Sequence, residues 1–142
     1  MQQLEQILRS VPYLATLDVR VEEAKPGLAV LRLPRREPVQ GHGGTLHTGA
    51  LFSIGEVAAG VAVGTHPTLA TLPHLAQRSG VRYLAPATGD VTAHAKVTAE
   101  MVAAVTEQLE ASGQATLDVP TRIMNGYGVD VAEVVAVFTF RR

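Results

Sequence analysis

The chain contains no cysteine and no tryptophan, and aromatic residues make up only 4% of its 142 positions. Without cysteine there is no disulfide framework, no thiolate zinc site and no cysteine nucleophile. Charge is sparse and balanced, with 12 Lys plus Arg against 13 Asp plus Glu and a net charge of −1. Such a balance gives no electrostatic reason to expect nucleic acid or an anionic membrane as a partner. Basic residues are adjacent only as the pairs Arg35-Arg36 and Arg141-Arg142, with no interleaved aromatics. The opening segment MQQLEQILRS lacks the positive-then-apolar order of a signal peptide, so a cytoplasmic location is expected.

What is present is apolar. Hydrophobic residues reach 46%, and a chain of this length suits one domain, residues 1–142, built on a single core. The segment Thr45–Thr65 holds no Lys, Arg or Asp, one carboxylate, Glu56, and one imidazole, His47. Its apolar residues Ala50, Leu51, Ile54, Val57, Ala58 and Val61 recur at helical spacing. A soluble helix that is apolar nearly all round is the buried centre of its domain. Glu56 and the four glycines argue against a lipid span. Enclosure on every side is therefore expected, Gly60 included, with Thr45 and Thr48 competing as N-cap.

Around this rod the pattern changes period. Residues 2 to about 10 have the spacing of a short amphipathic helix ended by Pro12. Asp18–Glu23 and Leu28–Leu33 alternate about a Lys25-Pro26-Gly27 turn and predict a hairpin. After His66-Pro67 stops the rod, Leu72–Leu84 is extended, with a bulge or bend expected at Ser79-Gly80. Asp90–Thr98 alternates, residues 100–111 read as a helix closed by Ser112-Gly113, and two strands, Ala115–Met124 and Val129–Phe140, meet at Asn125-Gly126. Antiparallel hairpins around one buried helix give an α+β class, a curved antiparallel sheet wrapped around a long central helix. Such a sheet has exposed edges, which a dimer or dimer of dimers would cover.

The order of elements, the segment Gly44-Thr45-Leu46-His47-Thr48-Gly49 with Glu56 nine positions after His47, and Tyr83-Leu84-Ala85-Pro86-Ala87 resemble the hotdog-fold thioesterases of the PaaI-like kind. The resemblance runs from about Asp18 to Phe140. The helix between Thr98 and Gly113 looks more like an uncharacterised branch of that superfamily than PaaI itself. It implies an acyl-CoA thioesterase with no cofactor beyond the coenzyme A of its substrate. It also implies a homodimer or homotetramer whose sites lie between subunits, the acid from one and the helix entrance from the other. Glu56 is then the general base or nucleophile. The Thr48 and Gly49 amides form an oxyanion hole at the positive end of the helix, and His47 stands at the helix entry. Gly41 and His42 stand in the substrate-positioning loop, and Arg78 and Arg82, with Arg35-Arg36, are candidates to meet coenzyme A phosphates.

The sequence departs from that pattern at four points. The family's His-Gly-Gly reads His47-Thr48-Gly49, its common Asn six residues before the His falls on Gly41, the Ser that some relatives carry seven before the aromatic falls on Ala76, and the acid is Glu56 rather than Asp. A non-catalytic hotdog module that binds acyl-CoA is therefore the rival reading. Residue by residue the plainer roles are a carboxylate in a solvated groove for Glu56, a helix-entry residue satisfying backbone groups for His47, and surface solvation for the arginines. His66, His74 and His94 share no ligand spacing, so no metal site is expected.

Overall fold

The computed structural model describes residues 1–142. Two short helices open the chain, α1 (Gln2–Arg9) and α2 (Pro12–Leu17). Pro12 does more than end the first helix. It takes the first turn of the second, where its fixed φ and missing N–H cost nothing. Asp18 leaves α2 in the left-handed region at φ 55° and draws in Arg9, Arg20 and Arg36. One carboxylate thus ties α1, α2 and the following strand together.

Strands β1 (Arg20–Lys25) and β2 (Leu28–Leu33) form the expected hairpin, with β1 starting two residues later than its alternation suggests and a bulge between Val21 and Glu23. Two single-turn 3-10 segments, Glu37–Val39 and His42–Gly44, lead into the central helix α3 (Thr48–Thr65). Helix α3 does not begin at Thr45. Leu46 N–H is committed to Ala87 O and His47 N–H to Val39 O, so Thr45–His47 stays extended. Strand β3 (His74–Tyr83), β4 (Val91–Lys96), α4 (Ala99–Ser112), β5 (Gln114–Met124) and β6 (Asp130–Arg141) complete the chain.

The six strands form one antiparallel sheet in the order β1-β2-β4-β5-β6-β3, and α3 lies in its concave face against β2, β4, β5 and β6. Strand β4 pairs only with residues 121–124 of β5. Further along β5 the Gln108 carboxamide of α4 takes the place of a strand, accepting from Thr116 N–H and donating to Thr116 O. The β5–β6 loop is longer than a two-residue Asn-Gly turn, and Asn125 Oδ1 accepts the N–H groups of Tyr127 and Val129 to hold it. Helix α3 is the one helix long and apolar enough to cross a membrane, yet half of it is buried within the protein.

Two features of this frame position the site. The backbone of α3 comes closest to the sheet at Gly55, where a Cβ would lie 2.4 Å from Val134 Cγ2. Gly60 has nothing within 4 Å, so the helix is not enclosed on every side as expected. At the sheet's end, β3 pairs with β6 alone and its outer edge is free along ten residues. The register shift of β3 sits between Ala76 and Arg78, while Ser79 and Gly80 stay in register with Ala136 and Val135. The expected bulge is therefore displaced to Gln77.

Candidate active site

The side of α3 turned away from the sheet carries Gly49, Ser53, Glu56 and Gly60, all partly accessible, one turn apart. At its amino end the N-cap is His47 rather than either threonine, because its Nδ1 accepts the Gly49 N–H at 2.8 Å. An N-cap side chain satisfies one of the helix's orphan donors. The Gly49 amide, expected in an oxyanion hole, is therefore occupied. Thr48 N–H makes no hydrogen bond within the chain and faces outward at the positive end of the helix. In the structure His47 Nδ1 is thus engaged with the backbone.

The loop before it is tied down. Gly41 N–H donates to Thr45 O, Thr45 Oγ1 donates to His42 O, and Arg35 Nε donates to Gly44 O. Gly41 lies against His47, with a Cβ placed there 3.4 Å from His47 Cα, so this position approaches the helix entrance without a side chain to offer. The His42 side chain is exposed. From the other side Tyr83 Oη donates to Thr48 O at 3.1 Å, joining the end of β3 to the first turn of α3. Between them opens a mostly apolar cleft of about 340 Å³, lined by Thr48, Leu46, Leu51, Tyr83, Leu84 and Ala85 among others.

Glu56 sits two turns further on, half-buried and without a salt bridge. Its Oε2 accepts a 2.8 Å hydrogen bond from Ser79 Oγ. In the sequence Ser79 reads only as part of a bulge or bend. Counting by two back from Tyr83 finds it, since Tyr83, Val81 and Ser79 pair with Ala132, Val134 and Ala136 on the helix-facing side. The bulge at Gln77 then brings Ala76, paired with Phe138, to that same side. A hydroxyl thus meets the acid from the same strand and face as Ala76, three residues further along.

Arg78 and Arg82 alternate with these residues and pair with Val137 and Glu133 on the outer face of the sheet. They are exposed and form no salt bridge, and the strand separates them from Glu56. Nor does one chain bring the acid to the free amide. Eight residues of helix separate Thr48 from Glu56, about 12 Å along the axis. Each chain therefore keeps apart an open amide beside an apolar cleft and a hydroxyl-held carboxylate near the β3 edge.

A family model described as a domain of unknown function, DUF4442, matches residues 2–139. No curated protein matches the chain. Among solved structures, a Pseudomonas aeruginosa protein of unknown function, described as a probable thioesterase, superposes with a TM-score of 0.88 at 24% identity, covering 99% of this chain and 95% of that one. Zebrafish thioesterase superfamily member 2 gives a TM-score of 0.76 at 19% identity over 99% and 97% of the two chains. A variant of a thioesterase enzyme from Staphylococcus aureus gives 0.70 at 20% identity over 92% and 98%. At these identities the likeness establishes a shared hotdog fold.

Proposed function

Because this chain belongs to the DUF4442 family and has the hotdog fold of the thioesterase superfamily, we propose that it hydrolyses acyl-CoA thioesters in a homodimer joined along β3. The observation that carries this reading is the Ser79–Glu56 hydrogen bond. It fixes one oxygen of the single charged side chain on an apolar helix, beside the longer of the two free sheet edges. A carboxyl group withdrawn from water costs stability unless hydrogen bonds offset its lost solvation, and the Ser79 hydroxyl supplies one here.

In this reading Glu56 Oε1, which makes no hydrogen bond, accepts a proton from water as the water oxygen attacks the thioester carbon. The carbonyl oxygen gains the electron pair and is met by Thr48 N–H at the amino end of the partner's α3. When the tetrahedral adduct collapses, the C–S bond breaks and the proton held by Glu56 passes to the thiolate sulfur. The products are a carboxylic acid and free coenzyme A. The cleft beside Thr48 takes an uncharged part of the substrate, since no ionisable group other than the Tyr83 phenol lines it. Pairing of two copies along β3 would gather Arg78 and Arg82 of both on the outer face, where coenzyme A phosphates would meet them.

One observation favours binding without turnover: Gly49 N–H is taken by His47, which leaves a single main-chain donor. Thiol release from a panel of acyl-CoAs separates the readings. The wild type is expected to turn over at least one substrate and Glu56→Gln to lose about 10²–10⁴ in kcat while still binding. Equal hydrolysis by Glu56→Gln would remove the carboxylate from the mechanism. No hydrolysis by either, with tight binding by both, would establish the binding module.

A further inference from the structure

We infer that Tyr13, delivered by α2, is a specificity-determining contact for an acyl group laid along the accessible side of α3, an inference that rests on the thioesterase reading above. Tyr13 Oη lies 2.7 Å from Ser53 Oγ. Ser53 spends its own hydrogen on Gly49 O at 2.8 Å, so the phenol is the donor in this pair. The chain of hydroxyls leads from the amino-terminal arm to the first turn of α3. It pins an aromatic side chain over the accessible side of the helix, between the open Thr48 amide and Glu56.

Tyr13 is 56% exposed, whereas Leu17 belongs to the core and Leu14 packs against it. The exposed part of the ring is thus an apolar surface held beside Ser53 on the accessible side of α3. Gly60 leaves open space where a side chain would stand. A phenol loses little freedom on being held, and one hydroxyl anchor leaves its face free to contact a ligand. The part of a thioester that fits such a surface is an uncharged acyl group with several methylenes or a ring. An acetyl group is too short to reach along the helix from the Thr48 amide to Ser53.

The test is a ratio. For wild type, Tyr13→Phe and Tyr13→Ala, kcat/KM is measured with octanoyl-CoA and acetyl-CoA, and thermal melts are recorded for each protein. Tyr13→Ala is expected to lower the octanoyl-to-acetyl ratio by about tenfold, the discrimination expected of a few methylene contacts. Tyr13→Phe keeps the ring and should keep most of the preference. A purely structural role would lower both substrates together and leave the ratio unmoved, which would overturn the inference. Equal losses in the Phe and Ala variants would overturn it too, because the ring would not be the contact. If the wild type hydrolyses neither substrate, the thioesterase reading fails while Tyr13 is still tested. Calorimetric dissociation constants for the two non-hydrolysable thioether analogues must then show the same shift in ratio between wild type and Tyr13→Ala, and an unchanged ratio would overturn the contact.

Discussion

Gly55 and Gly60 stand one and a half turns apart on α3 and have opposite tolerance for a side chain. A Cβ at Gly55 would press on Val134 Cγ2 at 2.4 Å and Val134 Cβ at 2.8 Å, and helix and strand cannot both keep their places. Gly55→Val is expected to destabilise by about 1–3 kcal/mol through overpacking. Gly60→Ala meets nothing and should stabilise the helix by roughly 0.5–1 kcal/mol. Urea melts of the two variants check both signs. In the sequence the two glycines are equivalent members of one apolar run, and Gly60 reads as enclosed. Which of them faces the sheet depends on the rotational phase of the helix, set by contacts with β6 rather than by the run itself. Glu56 was legible because it is the lone carboxylate in that run. Ser79 was not, because a bulge two residues earlier hides which face the strand's side chains take.

At the scale of elements, the outer face of the sheet carries a titration that the sequence does not reveal. His94 on β4 pairs in register with Arg122 of β5 and shares a 2.8 Å hydrogen bond between its Nε2 and Thr92 Oγ1. Burial first, and then the Arg122 charge, hold its pKa below the ordinary 6.5. The unfolded chain therefore takes up this proton at a higher pH than the folded one. Its contribution to stability is complete above about pH 6.5 and is lost as the pH falls from there through the folded-state value. Between about pH 7 and pH 5 the wild type should lose more Tm than His94→Gln, and parallel melts without that divergence would exclude the effect. The strands themselves were readable, since alternation and the Pro-Gly and Asn-Gly turns are local signals. Helix starts were less so. Pro12 opens a second helix as well as ending the first, and His47 displaces two threonines as N-cap, because backbone bonds to Val39 and Ala87 hold the entry segment extended.

For the whole molecule the central question is whether one copy suffices. A free ten-residue edge on β3, and a proposed acid and amide about 12 Å apart on one helix, are the two reasons to expect a second copy. Light scattering should give at least twice the 15.0 kDa chain mass at micromolar concentration, and a monomer would remove the proposed site along with the interface. Complementation asks the sharper question. Thr48 is the first residue of α3, and His47 before it has φ −64° and ψ 139°, a conformation that tolerates a following proline. Thr48→Pro should therefore delete the free N–H and leave the helix in place. Alone, Thr48→Pro and Glu56→Gln are each expected to be nearly inactive. In a heterodimer of the two, one site of the pair joins an intact Glu56 to an intact Thr48 amide, while the other lacks both. Unfolded together and refolded at equal amounts, the chains should form half heterodimer and recover about a quarter of wild-type activity. If acid and amide served one another within a single chain, every site in the mixture would lack one of them. Mixing would then restore nothing.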